Sequence, residues 1–162
     1  MTSIALAASG EDIADARNLM RRYAQWTGID LCFQNFEAEL AELPGKYVAP
    51  LGALWLARVD TAPNPVGVIA VRPLDTGACE MKRLWVEPEA QGLGLGGQLV
   101  RAAIAFASAA GFVEMKLDTL RERMPAAIAL YRSLGFVETE PYTPNPEPDV
   151  LYMCLNLRAE LT

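Results

Sequence analysis

The stretch Gln91-Gly92-Leu93-Gly94-Leu95-Gly96-Gly97 decides how this chain is read. Four glycines in six positions lead directly into an apolar run, Leu95 to Ala110, that predicts a broad helix with Gly111 as its C-terminal cap. Glycine lets the backbone take positive φ and lets a ligand approach closely. The first turn of a helix offers unpaired N–H groups and a partial positive charge. Together these make an anion site best suited to phosphate. The plainer alternative is a glycine turn that only allows helix and sheet to pack closely. The loop has no Gly-Lys-Ser/Thr, which excludes a P-loop. Gly92, Gly94 and Gly97 also fit G-x-G-x-x-G, with Asp118 near the spacing of a ribose-binding acid. In a dinucleotide fold, however, the strand runs straight into the first glycine. Here Glu87-Pro88-Glu89-Ala90-Gln91 intervene, the preceding strands read as an antiparallel meander, and only about 65 residues follow the loop.

Working outward from the loop, Leu51–Val59, Pro65–Val71 and Cys79–Val86 are rich in Val, Ile, Leu and Trp and are separated by Pro- and Gly-containing turns. They predict strands joined as a meander. Upstream, Ile4–Ala8 predicts a strand. Ile13, Ala16, Leu19, Met20 and Tyr23 predict a helix opened by Ser9 or Asp12, and Asn35–Leu43 predicts a second helix closed by Pro44-Gly45. Downstream come a strand at Val113–Leu117, a helix at Pro125–Leu134 and strands starting at Phe136 and at Val150. Between the last two lies Pro141-Tyr142-Thr143-Pro144-Asn145-Pro146-Glu147-Pro148, which reads either as a stiff loop over a site or as a long hairpin connection. No repeat or linker interrupts this order. The expectation is one α+β domain over 1–162, with a mixed, mostly antiparallel sheet flanked by helices.

The chain has 162 residues, 14 basic and 20 acidic, a net charge of −6, and 52% hydrophobic residues. That is the balance of a globular domain with its own core. Histidine is absent, which removes Ser-His and Cys-His nucleophiles, His-zinc sites and imidazole bases. Cys32, Cys79 and Cys154 are odd in number and widely spaced, against a disulfide framework or a metal site. No segment reads as a signal peptide or bilayer span, so a cytoplasmic location is expected. An acidic chain has no general attraction for nucleic acid or anionic membrane. Any polyanion it binds must be held by local geometry.

The segment from Glu80 through Gly96 resembles the GNAT superfamily of acetyl-CoA-dependent N-acetyltransferases. Its signature, a Gln or Arg, two residues, Gly, one residue, then Gly or Ala, is filled by Gln91, Gly94 and Gly96. Ala129-Leu130-Tyr131-Arg132-Ser133-Leu134-Gly135-Phe136 resembles the next motif of the family, a helix ending in Tyr-x-x-Leu-Gly-Phe. The resemblance covers residues 50–157 well and the N-terminal third only in plan. It implies a splayed sheet with acetyl-CoA in the opening. The pyrophosphate would rest on the N–H groups of Gln91, Gly92, Leu93, Gly94, Leu95, Gly96 and Gly97. The pantetheine arm would pair along the backbone of Leu84, Trp85 and Val86. Lys82, Arg83 and Arg101 either assist locally or are solvated surface charges. The expected partners are acetyl-CoA and an amine acceptor, small or amino-acid-like, with no metal, no nucleic acid and no membrane, and with a homodimer left open.

Acetyl transfer to an amine needs a neutral amine, support for an oxyanion and a proton for the leaving thiolate. The resemblance implies a backbone N–H at or beside Val86 for the oxyanion and Tyr131 for the proton. Glu80 stands where some family members carry a catalytic glutamate, which makes it the candidate base; an ion pair with Lys82 or an arginine is an equally open reading, and many members of the family use water chains instead. On a regular strand Glu80, Lys82, Leu84 and Val86 share one face and Arg83 and Trp85 the other, unless a bulge re-aims them. Met124 replaces the Asn that the family often has seven residues before its tyrosine. Tyr23, Trp26, Phe33 and Phe36 are candidate walls of an acceptor pocket, though core packing explains at least two of them more simply. With no histidine to activate Cys79 or Cys154, direct transfer in a ternary complex is expected. The rival of another class is a catalytically silent CoA-binding sensor or interaction module of the same fold.

Overall fold

Apolar runs and breakers resolve into elements close to those expected, as seen in a computed structural model that describes residues 1–28, 35–75 and 77–158. The strands are β1 (Thr2–Leu6), β2 (Ala53–Val59), β3 (Gly67–Pro73), β4 (Ala78–Val86), β5 (Glu114–Leu120), β6 (Val137–Glu138) and β7 (Val150–Asn156). The helices are α1 (Gly10–Thr27), α2 (Phe36–Glu42), α3 (Leu95–Ala109) and α4 (Pro125–Ser133). Ser9 and Asp12 act together at the start of α1. The Ser9 hydroxyl accepts from the Asp12 N–H, and the Asp12 carboxylate accepts from the Ser9 N–H, a reciprocal capping box. Cys32 and Phe33 lie outside the described residues.

One seven-stranded sheet runs in the order β1-β2-β3-β4-β5-β7-β6. All neighbours are antiparallel except β4 and β5. That parallel pair is joined only from Ala78–Glu80 to Glu114–Lys116. Beyond it the strands part, so β4 from Met81 to Val86 has no strand on its β5 side. Two apolar cores cover the faces. One, around Ile69, Leu99, Met115, Leu117 and Phe136, lies under α3 and α4. The other, around Met20, Leu40, Leu56 and Trp85, lies under α1 and α2. The parting of β4 and β5 is where the two faces communicate.

The expected face pattern of β4 is corrected by a bulge. The register against β3 pairs Ala70 with Lys82 but Val68 with Trp85, and Arg83 takes a φ of 62°. Two residues, Arg83 and Leu84, therefore oppose one, Ile69. The extra residue inverts the alternation. Glu80, Lys82, Arg83 and Trp85 all face α1 and α2, whereas Leu84 and Val86 face α3 and α4.

Candidate functional site

The glycine loop has the backbone its sequence calls for. Gly92 and Gly94 hold φ of 88° and 80°, and Gly94 is the residue before α3. The Gln91 N–H bonds to the Pro88 carbonyl and the Gln98 N–H to the Gly94 carbonyl. Between them, among the described residues, the N–H groups at the mouth of α3 have no acidic side chain in the first turn and no side-chain cap. The Gln91 side chain donates to the Val86 carbonyl at 3.0 Å and so fastens the loop to the end of β4. Glu87 donates its N–H to Val66 on the β3 side. Alternation one residue back along the strand turns the Val86 N–H toward the unpaired edge.

Three cavities adjoin along this edge, each sharing lining residues with the next. The first is a groove lined by Leu84, Trp85, Val86, Gln91, Gly92, Gly94, Leu95 and Gly96, with Met124 to Ala127 of the α4 entrance opposite and Trp26 at its rim. Eight of the ten expected cofactor residues thus meet in one groove. Leu93 and Gly97 do not line it, and the Leu93 side chain is exposed. The second is a small polar cavity in the gap itself, where Tyr23, Lys82, Asp118, Tyr131 and Asn145 meet, and it shares Leu84 and Met124 with the groove. The third is a wide groove on the opposite face, between α2 with its following loop and the Pro141–Pro148 segment. Glu39, Glu42, Lys46, Tyr47, Arg72 and Glu80 line it, and it shares Lys82 and Asn145 with the central cavity.

Tyr131 comes from α4, packs on Phe136 and is buried. Burial, then the nearby Tyr23 and Asp118, hold its phenol well above the ordinary range, so it stays protonated. Tyr23 arrives from α1 on the other face and is raised by burial in the same way. Asp118 accepts a hydrogen bond from the Asn145 amide at 3.1 Å.

Glu80 is almost fully buried and both of its oxygens are engaged. Oε1 accepts from Arg72 at 2.7 Å, with Lys82 at 3.9 Å, and Oε2 accepts from the Tyr142 hydroxyl at 2.6 Å. The ion-pair reading of Glu80 therefore describes its surroundings, and the carboxylate lines the wide third groove rather than the central cavity. The surface reading of Lys82 and Arg83 is corrected. Arg83 is buried and Lys82 is only slightly exposed, and Arg83 is bound in a fork to Glu39 at 2.8 and 2.9 Å and stacked over Phe36. Burial pushes Glu39 up, but the Arg83 hydrogen bonds and charge outweigh it and hold the carboxyl below its ordinary value. Lys82 is lowered, by burial first and by the Arg83 charge second.

The aromatic residues are also reassigned. Tyr23 lines the central cavity, Trp26 rims the first groove and Phe36 is core; none of the three lines the wide third groove. Arg72, Tyr142 and Asn145 were not signalled. Their partners are far off in sequence, and only the Pro-rich composition marked the Tyr142–Asn145 segment. Cys79 donates to the Glu114 carbonyl, and burial pushes its thiol up to about 12, far from a thiolate.

Residues 13–136 match the Acetyltransferase (GNAT) family. The chain belongs to that family. This GNAT protein is an N-acetyltransferase, as its relatives are. It is 45% identical over 148 residues, 91% of the chain and 90% of the relative, to an uncharacterised N-acetyltransferase of Schizosaccharomyces pombe. Its fold matches a GNAT-family acetyltransferase from Staphylococcus aureus Mu50 with a TM-score of 0.79 at 21% identity, covering 97% and 99% of the two chains. It also matches the PaiA N-acetyltransferase from Thermoplasma acidophilum, solved with coenzyme A, with a TM-score of 0.74 at 19% identity, covering 96% and 99%. Among the described residues no helix is long and apolar enough to cross a membrane, and no group of His, Cys, Asp and Glu could hold a metal.

Proposed function

We propose that this acetyltransferase moves an acetyl group from acetyl-CoA to a small or amino-acid-like amine by direct attack in a ternary complex. The observation that carries this reading is the succession of three adjoining cavities that share lining residues: an apolar groove beside the glycine loop, a polar gap with Tyr131, and a charged groove on the opposite face. The pyrophosphate would rest on the backbone of Gly92 to Gly96, the remaining loop residues Leu93 and Gly97 shaping the turn. The pantetheine arm would add to the open edge at Leu84 and Val86, with Trp85 anchoring that strand from behind. The oxyanion takes a backbone N–H of this edge, and the thiolate takes the Tyr131 proton. The acceptor-side groove carries both signs of charge, which suits an acceptor bearing an amine and a second polar group. Glu80 remains the carboxylate to which the amine proton can pass through water, and its held oxygens place it at the acceptor rather than at the thioester. The high thiol pKa of Cys79 supports transfer without an acyl-enzyme.

The test is thiol release from acetyl-CoA over a panel of amines, amino acids and peptides, beside the thermal shift given by CoA. Turnover with at least one amine and a clear CoA shift are expected. A CoA shift with silence across the panel would favour the non-catalytic module, and no CoA shift would remove the reading altogether.

A further inference from the structure

The amine that lies nearest the gap belongs to the protein itself. Lys82 and Asn145 are the two residues common to the central cavity and the acceptor-side groove, so the lysine stands in the passage an acceptor must use. It sits on β4 two residues before Leu84, which lines both the central cavity and the groove beside the glycine loop. Tyr131 lines the same small cavity. The side chain is only 10% exposed. Glu80, Glu39 and Asp118 around it favour the ammonium, but burial and the Arg83 charge outweigh them, so its neutral fraction exceeds that of a surface lysine.

We propose that Lys82 is a self-acetylation site, taking the acetyl group of bound acetyl-CoA when no amine fills the acceptor-side groove. This rests on the acetyl-CoA reading given under Proposed function. The neutral Nζ attacks the thioester carbonyl carbon; the C–N bond forms and the C–S bond breaks. The leaving thiolate takes the Tyr131 phenolic proton, the surplus proton on Nζ passes to water in the groove, and Tyr131 is reprotonated from water. The net change is lysine plus acetyl-CoA to acetyl-lysine plus CoA. The product is a stable amide. It removes a cation and fills the passage between donor and acceptor, so a molecule short of acceptor silences itself.

The chain has three lysines, Lys46, Lys82 and Lys116, so the modification can be mapped cleanly. The purified full chain is incubated with acetyl-CoA alone, followed by intact mass and peptide mapping. The expected result is one acetyl group on Lys82, suppressed when excess CoA competes for the groove. Lys82→Arg should lose that acetyl group while keeping its CoA thermal shift, which shows that the variant is folded. Acetyl groups confined to Lys46, Lys116 or the N-terminus, or a Lys82 modification indifferent to excess CoA, would mark ordinary solution acetylation and overturn the proposal. Unmodified Lys82 in a chain that shows the CoA shift would overturn this proposal alone. Absence of both the CoA shift and thiol release would overturn the acetyl-CoA reading with it.

Discussion

At Tyr131 burial serves two purposes. It seats the side chain at the cavity between β4 and β5, and it keeps the phenol protonated. Removing only the hydroxyl tests the acid role: Tyr131→Phe should lower kcat about 100-fold while leaving the CoA Kd nearly unchanged, the loss expected when a general acid is deleted. Steady-state kinetics on any amine that turns over, with CoA binding by calorimetry, separate the two. Glu80 differs in kind. Its hydrogen bond with Tyr142 ties the Pro141–Pro148 segment to β4 across 62 residues of chain. A double-mutant cycle of Glu80→Gln and Tyr142→Phe should show a coupling of about 1–2 kcal/mol in urea unfolding, as for a hydrogen bond to a buried charge. Additive effects would mean that the strap is not held there.

At the scale of elements, the bulge at Arg83 and the glycine turn before α3 shape the site. Arg83 is bound through Glu39 to α2, and that pair holds the wall of the acceptor-side groove against the strand beside the donor groove. Glu39→Gln leaves the buried guanidinium without its charge partner and should cost about 3 kcal/mol. Because the Glu39 carboxyl is held below its ordinary value of 4.5, its contribution is present in full above that pH and is lost as pH falls through the lower folded value. Wild type should therefore lose stability below about pH 5, and Glu39→Gln should flatten that limb in melts across pH. Gly94→Ala, forced into a φ of 80°, should cost about 1 kcal/mol and weaken CoA binding by turning the first N–H groups of α3. Much of this level was legible in the sequence. The glycine cluster and Leu134-Gly135-Phe136 announce their turns because glycine alone accepts those φ values cheaply. The bulge was not legible, because nothing in Lys82-Arg83-Leu84 forces a positive φ on arginine. It is Glu39 and Phe36, some 44 residues upstream, that stabilise it. For the same reason Lys82 and Arg83 read as surface charges while being largely buried, and the strapped role of Tyr142 and Asn145 stayed hidden in a segment marked only by its prolines.

The whole molecule turns one topological fact into a mechanism. Because the parallel pair β4–β5 separates after three residues a side, a single sheet acquires a window between its two faces. The groove beside the glycine loop opens on the α3–α4 side and the charged groove on the α1–α2 side, and among the described residues both border the gap lined by Tyr131, Lys82 and Asp118. On the ternary-complex reading proposed above, acetyl-CoA and the amine enter from opposite faces and neither must leave before the other binds. Neither described cysteine offers a ready thiolate, since burial raises Cys79 and Cys154 alike. An acyl-enzyme would need such a nucleophile at the gap, and the amide formed on Lys82 is too stable to serve as a turnover intermediate. Initial rates varied in both acetyl-CoA and the amine should accordingly give intersecting double-reciprocal lines, with CoA competitive against acetyl-CoA and noncompetitive against the amine. Parallel lines, together with acetylated protein that passes its acetyl group to added amine, would mean that transfer runs through a covalent carrier and that the window admits one ligand at a time.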